Sequence, residues 1–89
     1  MVGYTYNSKE ITARGEAIYR EQIRNLVETT EKGKFVVIDI ETGDYEIGTK
    51  DVTATLKLLE RRPDAVTYAV RVGYRAAYRI GGRRLMPTL

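Results

Sequence analysis

An α+β fold in one small domain is predicted by three features of the chain. Apolar residues recur at three- and four-residue steps over residues 11–27, then alternate over 35–47 and again over 66–72. A Thr-Gly pair separates the first two alternating runs, and glycine or proline closes each segment. With 89 residues there is room for one core. The expected order is α-β-β-α-β, with a short last strand as an option.

The first helix is expected over about residues 8–30, stopping near Gly33. Its apolar row is Ile11, Gly15, Ile18, Tyr19, Ile23, Leu26 and Val27. With Asn7 as N-cap, Glu10 falls at the third helical position, the spacing of a capping box. Gly15 inside the helix costs about 1 kcal/mol relative to alanine, and a close helix–sheet contact at that point would explain it. The outer face carries Glu10/Arg14 and Glu21/Arg24, opposite charges one turn apart.

Phe35 to Glu41 is the first strand and the run after Thr42-Gly43 the second. With a two-residue loop, Ile40 faces Tyr45 and Ile38 faces Ile47. Val36, Ile38, Ile40, Tyr45 and Ile47 then form the core face, and Phe35, Val37, Asp39, Glu41, Asp44 and Glu46 the other. This register opposes Asp39 to Glu46 and Glu41 to Asp44, which is unfavourable. A longer loop with a bulge would relax the second clash, so the register stays open. Thr49 can cap a second helix over about 50–61, with Val52, Leu56 and Leu59 as its buried stripe, Thr55 beside them, and Pro63 as its stop. The third strand covers about 65–72 and ends at Gly73. A further strand at Ala76–Ile80 is possible on pattern. Residues 1–80 form the domain, and 81–89 read as a flexible basic tail.

A right-handed crossover through the second helix places the third strand beside the first, giving sheet order 2-1-3. The helices are expected mainly on one face. The other face, with Phe35, Val37 and the carboxylates, becomes a contact surface for a homodimer or a partner. Val36, Ile38, Ile40, Ile47, Leu56, Leu59, Val70 and Val72 are the expected core.

Composition removes several chemistries. The chain has no Cys, His or Trp and a net charge of +3. Disulfides, thiolate or imidazole zinc sites and His-dependent nucleophiles are excluded. No apolar run approaches the roughly 18 residues of a membrane span. The start MVGYTYNSKE lacks the pattern of a secretory signal, so a cytoplasmic location is expected.

Charge is unevenly distributed. Residues 1–60 hold 8 basic and 11 acidic groups, net −3; residues 61–89 hold seven arginines against Asp64, net +6. Tyr68, Tyr74 and Tyr78 interleave with these arginines. Arg71, Arg75, Arg79, Arg83 and Arg84 are therefore candidates for phosphate contacts, with tyrosines able to stack on bases. The competing expectation is that some of the arginines pair with the chain's own acidic hairpin. The Gly81-Gly82 pair precedes no helix and lacks the Lys-Ser/Thr of a phosphate loop.

Asp39-Ile40-Glu41 after Phe35–Ile38 resembles the first metal-binding motif of DEDD-type exonucleases. Carboxylates two apart on a strand can share a metal. That family needs further aspartates from distant elements, a general base and a chain about twice this length. No metal site, cofactor or catalytic residue is therefore expected.

Several segments together resemble a family of short bacterial proteins, frequent in cyanobacteria, that has no assigned activity. They are Ile18-Tyr19-Arg20-Glu21, Gly33-Lys34-Phe35-Val36, Asp39 through Glu46, Arg62-Pro63-Asp64-Ala65, Val72-Gly73-Tyr74 and Ala77 through Gly82. Arg75 stands where similar sequences carry Pro. The resemblance implies an antitoxin-like component encoded beside a small aspartic-protease-like protein. The expected function is thus a non-enzymatic protein-interaction module. Its partner-binding residues would be Phe35, Asp39, Glu41, Tyr74, Arg75, Tyr78 and Arg79. A small nucleic-acid-binding regulator is the alternative.

Overall fold

The computed structural model describes residues 6–74 and 79–82, the last four by their backbone. The elements are α1 (Ser8–Ile18), a π-helical segment (Tyr19–Ile23), α2 (Arg24–Val27), β1 (Phe35–Asp39), β2 (Tyr45–Gly48), α3 (Asp51–Arg61), β3 (Val66–Arg71) and β4 (Arg79–Gly82). The sheet is antiparallel in the order β2-β1-β3-β4. The 2-1-3 core of this order follows the expected crossover. β4 pairs from Arg79↔Ala69 to Gly82↔Val66. Gly81 and Gly82 thus belong to the sheet and not to a tail, and the remainder of that tail, residues 83–89, lies outside the described residues.

The first three helical elements form one continuous rod. Asn7 caps it as expected: Glu10 N–H donates to Asn7 Oδ1 at 2.8 Å, and Asn7 N–H donates to Glu10 Oε1 at 3.0 Å. The buried positions of the rod are Ile11, Gly15, Ile23 and Val27, and Tyr19 completes a strict step of four. An ideal α-helix rotates such a row by about 40° per step. The π segment, in which Arg24 N–H donates to Tyr19 O, holds one more residue per turn and takes part of that drift back. Ile23 and Val27 therefore stay under the rod, while Leu26, expected inside, is left exposed.

The two helical layers lie on opposite faces of the sheet, which corrects the expectation that both share one. Val36, Ile38 and Ile40, with Val66, Tyr68, Val70 and Val72, meet the rod's Ile11, Ile23 and Val27. Val37 and Ala69, which point the other way, meet Ala54 and Leu58 of α3. The reason is in β1 itself. Val36, Val37 and Ile38 are all fully buried, so the strand is apolar on both sides and needs cover on both.

α3 also corrects the expected stripe. Its N-cap is Lys50 without a side-chain bond, not Thr49. The residues that touch the sheet are the small Ala54 and Leu58, whereas Val52 and Leu56 are 58% and 60% exposed. Leu59 and Ile47, expected in the core, are half-buried. Lys57 and Arg61 fix the helix's rotation, since both bond the outer side of β2, as described below.

The hairpin takes the longer loop. Ile38 pairs with Tyr45 and Val36 with Ile47, two residues from the two-residue-loop register. An even shift leaves every side chain on its expected face. Asp39 no longer faces Glu46, and Glu41 no longer faces Asp44; Asp39 instead donates its N–H to Asp44 O at 2.8 Å, and Arg62 Nε, 4.0 Å from Asp39 Oδ2 and 3.1 Å from Asp44 Oδ2, offsets the new opposition of carboxylates. Gly43, at φ 84°, closes the loop by donating its N–H to Asp39 O at 2.8 Å.

Candidate partner-binding surfaces

The Asp-x-Glu motif is occupied with its own loop. Asp39 is 2% exposed. Its Oδ1 accepts from Glu41 N–H at 2.9 Å and its Oδ2 from Thr42 Oγ1 at 3.0 Å. Thr42 Oγ1 in turn accepts from Asp44 N–H at 3.1 Å. Asp, Thr and Gly at this spacing are turn chemistry. Asp39 is therefore unavailable as the partner contact it was expected to be. Glu41 is exposed, and its carboxylate stands beside the Tyr6 hydroxyl; burial first, then this charge, push the Tyr6 phenol up. Among the described residues no three carboxylates gather in a way that could hold a metal.

The acidic hairpin is matched by the end of α3. Arg61 Nη1 lies 2.7 Å from Asp44 Oδ2 and Nη2 lies 2.8 Å from Glu46 Oε2. Arg62 Nε donates to Asp44 Oδ2 at 3.1 Å. The guanidinium of Arg61, followed by that of Arg62, holds the Asp44 carboxyl below its ordinary value. Arg61 and Arg62, the first two arginines of the basic third, thus pair with the chain's own carboxylates.

This clamp also closes an edge. Tyr45 and Ile47 direct their backbone groups away from β1. Arg61 Nη2 donates to Tyr45 O at 3.3 Å, and Lys57 Nζ donates to Ile47 O at 3.4 Å. Asp44 Oδ1 accepts from Tyr45 N–H at 3.1 Å. An edge strand covered by Lys and Arg is a poor template for a second strand. Partner contacts by strand addition at β2 are therefore disfavoured.

Among the described residues two surfaces remain open. The first is the outer side of α3, where Val52 and Leu56, one turn apart, stand exposed with half-buried Leu59 beside them. The second lies where the helical rod passes the exit of β3. A cleft of about 410 Å³ there is lined by Tyr19, Arg24, Glu28, Thr29, Lys32, Gly73 and Tyr74. It adjoins a groove of about 210 Å³ that shares Tyr19, Arg24 and Tyr74 and adds Glu16, Arg20 and Tyr68.

Three expected site residues meet at this end of the sheet. Phe35 pairs with Arg71 across β1 and β3. The Arg71 guanidinium lies 5.4 Å from the Phe35 ring centroid and 4.3 Å from that of Tyr74. Arg71 Nε also donates to Gly33 O at 3.1 Å. Tyr74 is 54% exposed. Arg71 is thus a bridge between two rings and a loop. Arg75, Tyr78, Arg83 and Arg84 lie outside the described residues, and of Arg79 only the backbone position in β4 is described. Sequence reasoning missed Tyr19, Arg24 and Lys32 as neighbours of Tyr74. The four-residue spacing around Tyr19 was the available signal, because it marks a helix out of phase with an ideal one.

No helix among the described residues is long and apolar enough to cross a membrane. No family model, curated protein or solved structure matches this chain.

Proposed function

We propose that this chain is a non-enzymatic protein-interaction module. One observation carries the reading: α3 turns its larger apolar side chains, Val52 and Leu56, outward, and seats Ala54 and Leu58 on the sheet. Such a ridge on an 11-residue helix is what a partner groove or a second helix buries. The self-satisfied hairpin adds support, since Asp39, Asp44 and Glu46 are committed to turn and clamp and offer no constellation for acid–base work. An antitoxin-like role beside a small aspartic-protease-like protein is the form of this reading that the family resemblance supplies. A homodimer through the same ridge is its other form. Cytoplasmic location belongs to the same proposal.

The test is capture from the native host with the tagged chain and with Leu56→Glu, a change at an exposed position. The reading holds if a protein identified by mass spectrometry, or a second copy seen by sedimentation, is retained by the wild type and lost from the variant. It fails if the variant retains the same material.

A second reading, a nucleic-acid-binding regulator, is favoured by one specific observation. Tyr19, Arg20, Arg24, Lys32 and Tyr74 line adjoining grooves, with Arg71 stacked on Tyr74.

A further inference from the structure

We propose that the cleft between Tyr19 and Tyr74 binds one unpaired nucleotide unit, its base against the tyrosines and its phosphate on Lys32 and Arg24. The proposal takes its ligand class from the second reading above but moves the site away from the basic C-terminal residues.

The cleft, at about 410 Å³, falls in the size range of small-molecule sites. Its two rings come from different elements, Tyr19 from the π-helical segment and Tyr74 from the exit of β3. Tyr74 is already oriented. Arg71 stacks on it at 4.3 Å and is itself held by the Gly33 carbonyl and by Phe35. A half-exposed ring, fixed from behind by a guanidinium, is a platform for a base. The phenol of Tyr19 is pushed up by burial, against the pull of Arg24, so it stays a neutral hydrogen-bond donor at physiological pH.

The cations are placed by the backbone. The π turn sets Arg24 below Tyr19, with Arg24 N–H donating to Tyr19 O. Its ion pair with Glu28 is 3.5 Å long, and both side chains are half exposed, so little binds Arg24 to that partner. The Lys32 stem lies over Gly73: a Cβ there would stand 2.9 Å from Lys32 Cγ. This contact holds the stem at the rim. Among the described residues the Lys32 ammonium has no ion pair or hydrogen bond. Arg20 adds a third cation in the adjoining groove.

Charge then limits the ligand. Glu16 and Glu28 share the two grooves with Arg20, Arg24 and Lys32, three positive groups against two negative. Glu16 Oε2 accepts from the Tyr68 hydroxyl at 3.3 Å. A local balance near +1 suits one phosphate and a stacked ring. It does not suit a duplex, which offers many phosphates and no free base face.

The test uses the full chain and a fluorescein-labelled uridine decamer read by anisotropy, with a duplex of equal length as control and uridine monophosphate as competitor. The decamer should bind better than the duplex. Tyr74→Ala should weaken it by about 5- to 150-fold, the range for loss of one stacked base, and Tyr74→Phe should restore it. Lys32→Gln should lower the salt slope by about one. Competition by the monophosphate would make the free nucleotide a sufficient ligand; its failure to compete would assign the site to a strand. No binding of decamer, monophosphate or duplex overturns the proposal together with the second reading, and binding of the duplex alone overturns the proposal only. Binding that ignores Tyr74→Ala and is lost on replacing Arg83 and Arg84 overturns the proposal alone and leaves that reading in place.

Discussion

Gly15→Ala is expected to destabilise the domain, although alanine is the better helix former by about 1 kcal/mol. Gly15 lies where α1 crosses β3. A Cβ built on it would stand 2.7 Å from Tyr68 Cβ and nearer still to the ring. Carbon atoms prefer separations of about 3.5–4.0 Å. The Tyr68 Cβ is fixed to the strand, so rotating the ring cannot clear the contact. Either α1 lifts from the sheet by about 1 Å, a gap that forfeits a quarter to a half of each contact it opens, or β3 moves. Ile11 and Ile23, both fully buried, ride on the same rod and share the loss. Overpacking of this kind costs typically about 1–3 kcal/mol, and a contact this short belongs at or beyond the upper end. Subtracting the propensity gain of about 1 kcal/mol leaves a net loss of about 2 kcal/mol or more. For a domain of 89 residues, total stability is about 4–13 kcal/mol. With a urea slope near 1 kcal/mol/M, the midpoint should fall by about 2 M or more. In a double-mutant cycle with Tyr68→Gly, which removes the opposing Cβ together with the ring, the penalty at residue 15 should disappear or reverse, a coupling above about 1 kcal/mol. An unchanged or raised midpoint for Gly15→Ala in the wild-type background would refute the argument.

Leu58→Ala should cost about 2–5 kcal/mol in urea titration, whereas Leu56→Ala should stay within about 0.5 kcal/mol; equal losses would mean that α3 is rotated. Arg61→Ala frees the Tyr45 carbonyl on the open edge of β2 and removes the clamp on Asp44 and Glu46. Sedimentation velocity should then show concentration-dependent self-association beyond that of the wild type. The Asp44 carboxyl is held below its ordinary value by Arg61 and Arg62, so the unfolded chain takes up its proton first as pH falls. Its stabilising effect is present above the unfolded value, near 4, and is lost as pH drops through the lower folded value. Between pH 5 and pH 3 the urea midpoint should therefore fall further for the wild type than for Asp44→Asn.

Much of the fold was legible because it is local. Asn7 and Glu10 declare the first helix start by spacing alone, and both capping bonds are present. The alternation in residues 35–47 and 66–72 sets the strand faces. An even register shift could not disturb them, so Val36, Ile38 and Val70 are buried although the hairpin loop is longer than the shortest option. The unfavourable pairing of Glu41 with Asp44 was itself the signal that the shortest loop was in doubt. For the candidate surfaces less could be read. Tyr74 and Arg71 were singled out by composition, but their ring–cation stack and the approach of Tyr19 depend on where the rod crosses the sheet.

By itself, the sequence determined an α+β chain, its strand faces, the 2-1-3 core of its sheet and the absence of thiol and imidazole chemistry. These follow from covalent periodicity and from which side chains exist. Only the tertiary structure decided that the helices lie on opposite faces, that α3 buries Ala54 and Leu58 in place of Val52 and Leu56, and that Asp39 serves its own turn. Each of these is a choice between nearly equal local options. β1, apolar on both sides, demanded cover twice. Small Ala54 permits a closer helix–sheet approach than a larger side chain would. Lys57 and Arg61 gain the β2 edge only when α3 is rotated this way. Such contacts join residues distant in the chain, so no local spacing carries them.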